Sequence, residues 1–178
     1  LADPSARRPP PARPADVWLI SASAAASSLA PALADLAAPM LVAQPGLFHP
    51  LGLVAAADAA GFLAGGTNLT LPPTSHPLAA GLTGEIPVVT RPAQLAWGAP
   101  LPSAVFSAEV APGKAGIFAY EATPLPKHAA TPGDAKQAAE RAVASRGRRL
   151  GWFATPDAFA GLTRGGWALF DAGIGWLR

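Results

Sequence analysis

The sequence contains no cysteine, a single methionine and a single tyrosine. Without cysteine there is no disulfide, no thiolate metal ligand and no thiol nucleophile. Charge is also scarce: Asp, Glu, Lys and Arg make up 13% of the chain, about half the usual share. The net charge is +2, and the cations cluster in two places, Arg7, Arg8 and Arg13 and then Arg141, Arg146, Arg148 and Arg149, which hold seven of the 13 Lys and Arg residues. Neither group has interleaved aromatics, so they read as a solvated tail and a solvated helix end, and no nucleic-acid partner is expected. His49, His76 and His128 do not stand at ligand spacing and there is no Asp-rich calcium loop, so neither a metal nor a cofactor is expected. Gly61, Gly65 and Gly66 lack the Lys-Ser/Thr pair of a phosphate loop. The longest apolar stretch, residues 21–42, is interrupted by Ser27, Ser28, Pro31, Asp35 and Pro39, which argues against a membrane span. The opening residues are rich in Pro and Arg and do not have the pattern of a signal peptide.

Apolar residues make up 51% of the chain, much of it alanine, with Trp, Phe, Leu and Ile as core anchors. Residues 1–15 lack an apolar period and read as a Pro-rich tail or linker; residues 16–178 read as one domain. Val17–Ile20 and Met40–Ala43 have the short apolar runs of buried parallel strands, and Ser27–Leu36 reads as a helix with Pro31 in its first turns. Leu47–Ala60 reads as a helix followed by a loop at Gly61. Further strands are expected at Asn68–Leu71, Glu85–Thr90, Val105–Val110, Ala115–Tyr120 and Arg149–Ala154. Asp134–Ser145 has helix-forming composition without an apolar stripe, as in an exposed helix or mobile loop. Thr163 is placed to cap a final helix whose buried face is Trp167, Phe170, Ile174 and Leu177. Strands alternating with helices point to an α/β fold with a mostly parallel sheet.

Five segments carry a resemblance: DVWLISAS at Asp16–Ser23, APMLVAQPGLF at Ala38–Phe48, SHPLAAGLTG at Ser75–Gly84, GKAGIFAYE at Gly113–Glu121 and LTRGGWALFDAGIGWL at Leu162–Leu177. In this order they resemble the class I glutamine amidotransferase-like superfamily, in particular its trehalose-utilisation-like relatives and the similar domains of bacterial modular extracellular proteins. The resemblance implies a flavodoxin-like three-layer α/β sandwich with a mostly parallel sheet. Its N-terminal β-α unit is replaced here by the Pro-rich segment, so either the chain continues upstream or the sheet lacks a strand. At the elbow, where true amidotransferases carry a nucleophilic cysteine, this chain reads Gln44-Pro45-Gly46. An amide is no nucleophile, and amidotransfer by the usual route is excluded.

In an open α/β sheet, ligands gather beyond the carboxyl ends of the strands. That rule picks out Ser21, Ser23, Gln44, His49, Glu121, Thr155 and Asp157, which could support acid–base chemistry if they converged. His76, in Ser75-His76-Pro77-Leu78, is either a base at that site or a turn residue. Trp97, read in a loop, is a candidate sugar-stacking ring. Three functions follow as expectations. The first is a non-catalytic accessory or interaction domain of a larger bacterial protein, extracellular or periplasmic, partnered by neighbouring domains or another subunit. The second is a sugar-related enzyme or sugar-binding protein using His49, His76 and Glu121, for which a cytoplasmic location is the alternative. The third is a structural subunit that pairs through an exposed sheet edge.

Overall fold

A strand–helix–strand unit opens the computed structural model, which describes residues 17–34, 36–124 and 145–178. β1 (Trp18–Ile20), α1 (Ala26–Ala34) and β2 (Met40–Val42) form that unit, with β1 and β2 parallel and Trp18 opposite Met40. β2 is apolar at every position because both of its faces are covered. Leu41 and Ala43 face one core, and Met40 and Val42 face the other. The chain then leaves this layer through a 3₁₀ turn at Pro45–Leu47. The segment expected to be helical, Leu47–Ala60, instead runs as turns with a short 3₁₀ stretch at Ala57–Ala59. Leu47, Phe48, Leu51, Leu53 and Val54 are all buried there, and a helix through them is interrupted by Pro50 and by Gly52 at φ +72°.

Six strands follow: β3 (Ala60–Gly66), β4 (Asn68–Leu71), β5 (Gly84–Pro87), β6 (Ala93–Gly98), β7 (Phe106–Ala111) and β8 (Lys114–Tyr120). β3 and β4 form one bent strand. A bulge between Leu63 and Gly66, with Gly65 at φ +73°, shifts the register against β6, and from Asn68 onward the strand pairs with β5 and β7. A two-residue pairing of β9 (Thr123–Pro124) with β10 (Ser145–Arg146) precedes β11 (Arg149–Gly151), α2 (Pro156–Ala160) and α3 (Arg164–Leu177). The Pro-rich segment 1–15, His128 and nearly all of the helix or loop expected at Asp134–Ser145 lie outside the described residues.

The main sheet has nine strands in the order β1-β2-β11-β8-β7-β4-β5, with β6 joined to both β8 and β3. Only β1–β2 and β2–β11 are parallel, and every other pairing is antiparallel. The fold is therefore a mixed α/β sheet with few helices, and the expected flavodoxin-like, mostly parallel sandwich is incorrect. The cause is the length of the connections. A parallel pair needs a crossover of a dozen residues or more, whereas Pro112-Gly113 alone joins β7 to β8.

Helix α3 covers one face, with Leu169, Trp176 and Leu177 buried in the core that also contains Leu150, Trp152 and Phe153. Thr163 caps this helix, accepting from the Gly166 N–H at 3.1 Å. Trp167, expected on the buried face, is 43% exposed and packs edge-on against Phe159 and Phe170. α1 and the 47–54 segment cover the opposite face. None of the helices among the described residues is long and apolar enough to cross a membrane.

Candidate functional site

The parallel strands β1, β2 and β11 run in one direction, so their carboxyl ends share one end of the sheet. That end holds Ser21, Ser23 and Gln44. The Gln44 side chain spans the gap between two loops: Nε2 donates to the carbonyls of Ala22 at 2.6 Å and Ala24 at 2.8 Å. Its Oε1 accepts from the Gly46 N–H at 3.4 Å. A primary amide has two N–H donors, and both are used here. The hydroxyls of Ser21 and Ser23 bond to each other at 2.9 Å, and the Ser23 N–H donates to Ser21 Oγ. The elbow is a closed set of hydrogen bonds joining the loop after β1 to the turn after β2.

Glu121 lies at the other end. β8 is antiparallel to β11, with Tyr120 opposite Arg149, so Glu121 leaves the sheet where β11 begins. Its carboxylate accepts from Arg148 Nε at 3.0 Å, on the surface. Arg148 also lies 4.9 Å over the Trp176 ring and donates to the Trp176 carbonyl. His76 is at this end as well, its ring 5.3 Å from Phe106 and 6.2 Å from Trp176. Its Nδ1 accepts from the Leu78 N–H at 3.2 Å and caps the 3₁₀ turn Pro77–Ala79. That bond assigns the ring proton to Nε2.

The remaining candidates stand apart. His49 is exposed beyond the 3₁₀ turn, and Asp157 is exposed in the first turn of α2, whose cap is Thr155. Buried Thr155 accepts from Ala158 N–H and donates to the Gln94 carbonyl at 2.8 Å. Trp97 lies in β6 rather than in a loop, partly buried. Lys114 Nζ sits 4.6 Å over its ring, and a Cβ at Gly61 would touch its edge. A sugar would have to displace Lys114 to stack on that face.

Two residues outside the candidate set, Tyr120 and Arg149, organise this half of the molecule. Tyr120 donates to the Leu53 carbonyl at 2.6 Å and accepts from the Leu101 N–H at 2.7 Å. Burial pushes its hydroxyl pKa above the ordinary 10.0, opposed by the Leu101 N–H. Arg149 is 3% exposed and donates to the carbonyls of Ala38 at 2.9 Å and Leu36 at 2.6 Å. Arg148 and Arg149 are therefore not the solvated helix end that their clustering suggests. Beside them, a pocket of about 120 Å³ is lined in part by Leu51, Leu53, Tyr120 and Glu121. This is well below the roughly 300–1,000 Å³ of ordinary small-molecule sites.

The candidates are thus divided between two ends of the sheet, and Ser21, Ser23, Gln44 and His76 are engaged in local hydrogen bonds. Compared with family models, with curated proteins and with solved structures, the chain matches none of them.

Proposed function

We propose that this chain is a non-catalytic interaction domain of a larger exported bacterial protein, in which the elbow after β2 is a structural lock. The observation that carries the reading is Gln44, whose two amide donors are both committed to the carbonyls of Ala22 and Ala24. A residue held in this way offers no nucleophile, no free donor and no open position to a substrate. The engagement of the acid–base candidates supports the same reading. General acid–base catalysis needs its groups free to reach one reacting centre, whereas the Glu121 carboxylate accepts from Arg148 and His76 Nδ1 accepts from the Leu78 N–H as a turn cap. Scarce charge and the Pro-rich composition of residues 1–15 suit a module tethered within a longer polypeptide. The amidotransferase-like resemblance rests on the order of five segments, and the reading of the elbow stands without it.

The reading is tested by assaying the purified chain for hydrolysis of glutamine, simple amides, esters and glycosides, alongside His49→Ala, His76→Ala and Glu121→Gln. The expected result is no turnover that depends on these side chains. Turnover abolished by any of the three substitutions overturns the reading.

A further inference from the structure

We propose that His76 is an acid-sensitive clasp, in which protonation of the imidazole loosens the Pro77–Ala79 turn from its packing against α3. The clasp does not depend on what the domain binds. Its working part is one hydrogen bond, donated by the Leu78 N–H to His76 Nδ1 at 3.2 Å. Pro77 has no N–H, so Leu78 carries the first backbone donor of the turn, and the imidazole is its acceptor. Nδ1 accepts only while it carries no proton, so the bond exists with the neutral ring alone. A proton added there turns the acceptor into a donor and sets one N–H against another. Histidine is the side chain whose ordinary titration makes this change between about pH 5 and pH 8.

The surroundings of the ring do not replace the lost bond. Phe106 of β7 and Trp176 of α3 flank it and carry no charge, and residues 71–84 contain no other ionisable side chain. Arg148 lies over the same Trp176 ring, so the indole that could hold an imidazolium already holds a cation. Glu121 is engaged by Arg148. Among the described residues theirs is the one ion pair, so no carboxylate is paired with the imidazole.

The turn that this bond closes is also strained. Ala80, directly after it, has φ +52°, in the left-handed region that alanine disfavours. Such a residue persists only where its surroundings hold it. Here they are Leu78 and Ala79, both buried in the core that contains Leu169 and Trp176 of α3. Two backbone bonds stay when the ring is protonated, Ala79 N–H to the His76 carbonyl and Ala80 N–H to the Pro77 carbonyl. Neither gives the Leu78 N–H a partner, so acid makes opening of the turn more frequent without unfolding the domain.

The test is amide hydrogen exchange of the full chain by NMR at about pH 7.5 and about pH 5.5, corrected for intrinsic exchange rates. Protection of the Leu78 N–H is expected to fall roughly tenfold on acidification, the equivalent of one lost hydrogen bond. Protection of the Gly166 N–H, capped by the Thr163 hydroxyl that does not titrate, is expected to stay constant. The nitrogen shift of His76 Nδ1 should move over the same pH range as the Leu78 protection. His76→Asn retains a side-chain acceptor for the Leu78 N–H and does not titrate, so its Leu78 protection should be the same at both pH values. Constant Leu78 protection in the wild type, a fall that His76→Asn retains, or a fall out of step with the Nδ1 shift overturns the clasp.

Discussion

Tyr120 and Leu53 are 67 residues apart in sequence and are joined by a 2.6 Å hydrogen bond from the phenol to the carbonyl. The same hydroxyl accepts from Leu101 N–H, so one side chain anchors the 47–54 segment and the start of the 101–105 loop to β8. Tyr120→Phe leaves a carbonyl and an N–H without that partner. Replacement is expected to cost about 1–3 kcal/mol in equilibrium urea unfolding.

Alkaline pH provides a second test of Tyr120. Burial raises its pKa above the ordinary 10.0, so the folded state holds the phenolic proton more tightly than the unfolded state. The resulting stability is fully present below the unfolded pKa and is lost as pH rises through the folded one. Thermal unfolding midpoints of the wild type should therefore fall more steeply above pH 10 than those of Tyr120→Phe.

Arg149 ties the loop after α1 to the central sheet through two carbonyls. Arg149→Met keeps much of the volume and removes both donors, with an expected loss of about 2–4 kcal/mol by urea unfolding. Arg149→Lys should recover little of it, because a single ammonium lacks the planar fork that reaches two acceptors.

Gly151 of β11 lies opposite Phe118 of β8, and a Cβ at Gly151 would overlap the phenyl ring. Gly151→Ala is expected to destabilise by about 1–3 kcal/mol through overpacking. In combination with Phe118→Leu the cost should be less than additive, as measured by a double-mutant cycle in urea.

The parts of the fold that were legible in the sequence are those where apolar side chains form runs. Met40–Val42 and Lys114–Tyr120 stand out as strands, and Thr163 marks the start of α3. β3 and β6 were missed because Ala-Gly-Phe-Leu-Ala-Gly-Gly and Ala-Gln-Leu-Ala-Trp-Gly lack β-branched residues. Their strand conformation comes from pairing with each other. The Pro112-Gly113 link carried an antiparallel signal that the alternation of helices and strands overrode. In the candidate site, the types of the polar residues were readable, but their separation was not. It follows from β8 running against β11, which puts Glu121 at the far end from Gln44. Burial of Arg149 was hidden by its place in a run of cations with the half-buried Arg148, although strand alternation places Arg149 and Gly151 on one face.

The elbow is tested most directly by the unfolding free energy of Gln44→Ala. Residues kept for binding or catalysis are commonly neutral or stabilising to replace, whereas a structural lock is costly to remove. Losing both donors leaves the Ala22 and Ala24 carbonyls without them, and a loss of about 1–3 kcal/mol in urea unfolding is the result expected of a lock. A Gln44→Ala protein as stable as the wild type, or more stable, would contradict the structural role assigned to this elbow.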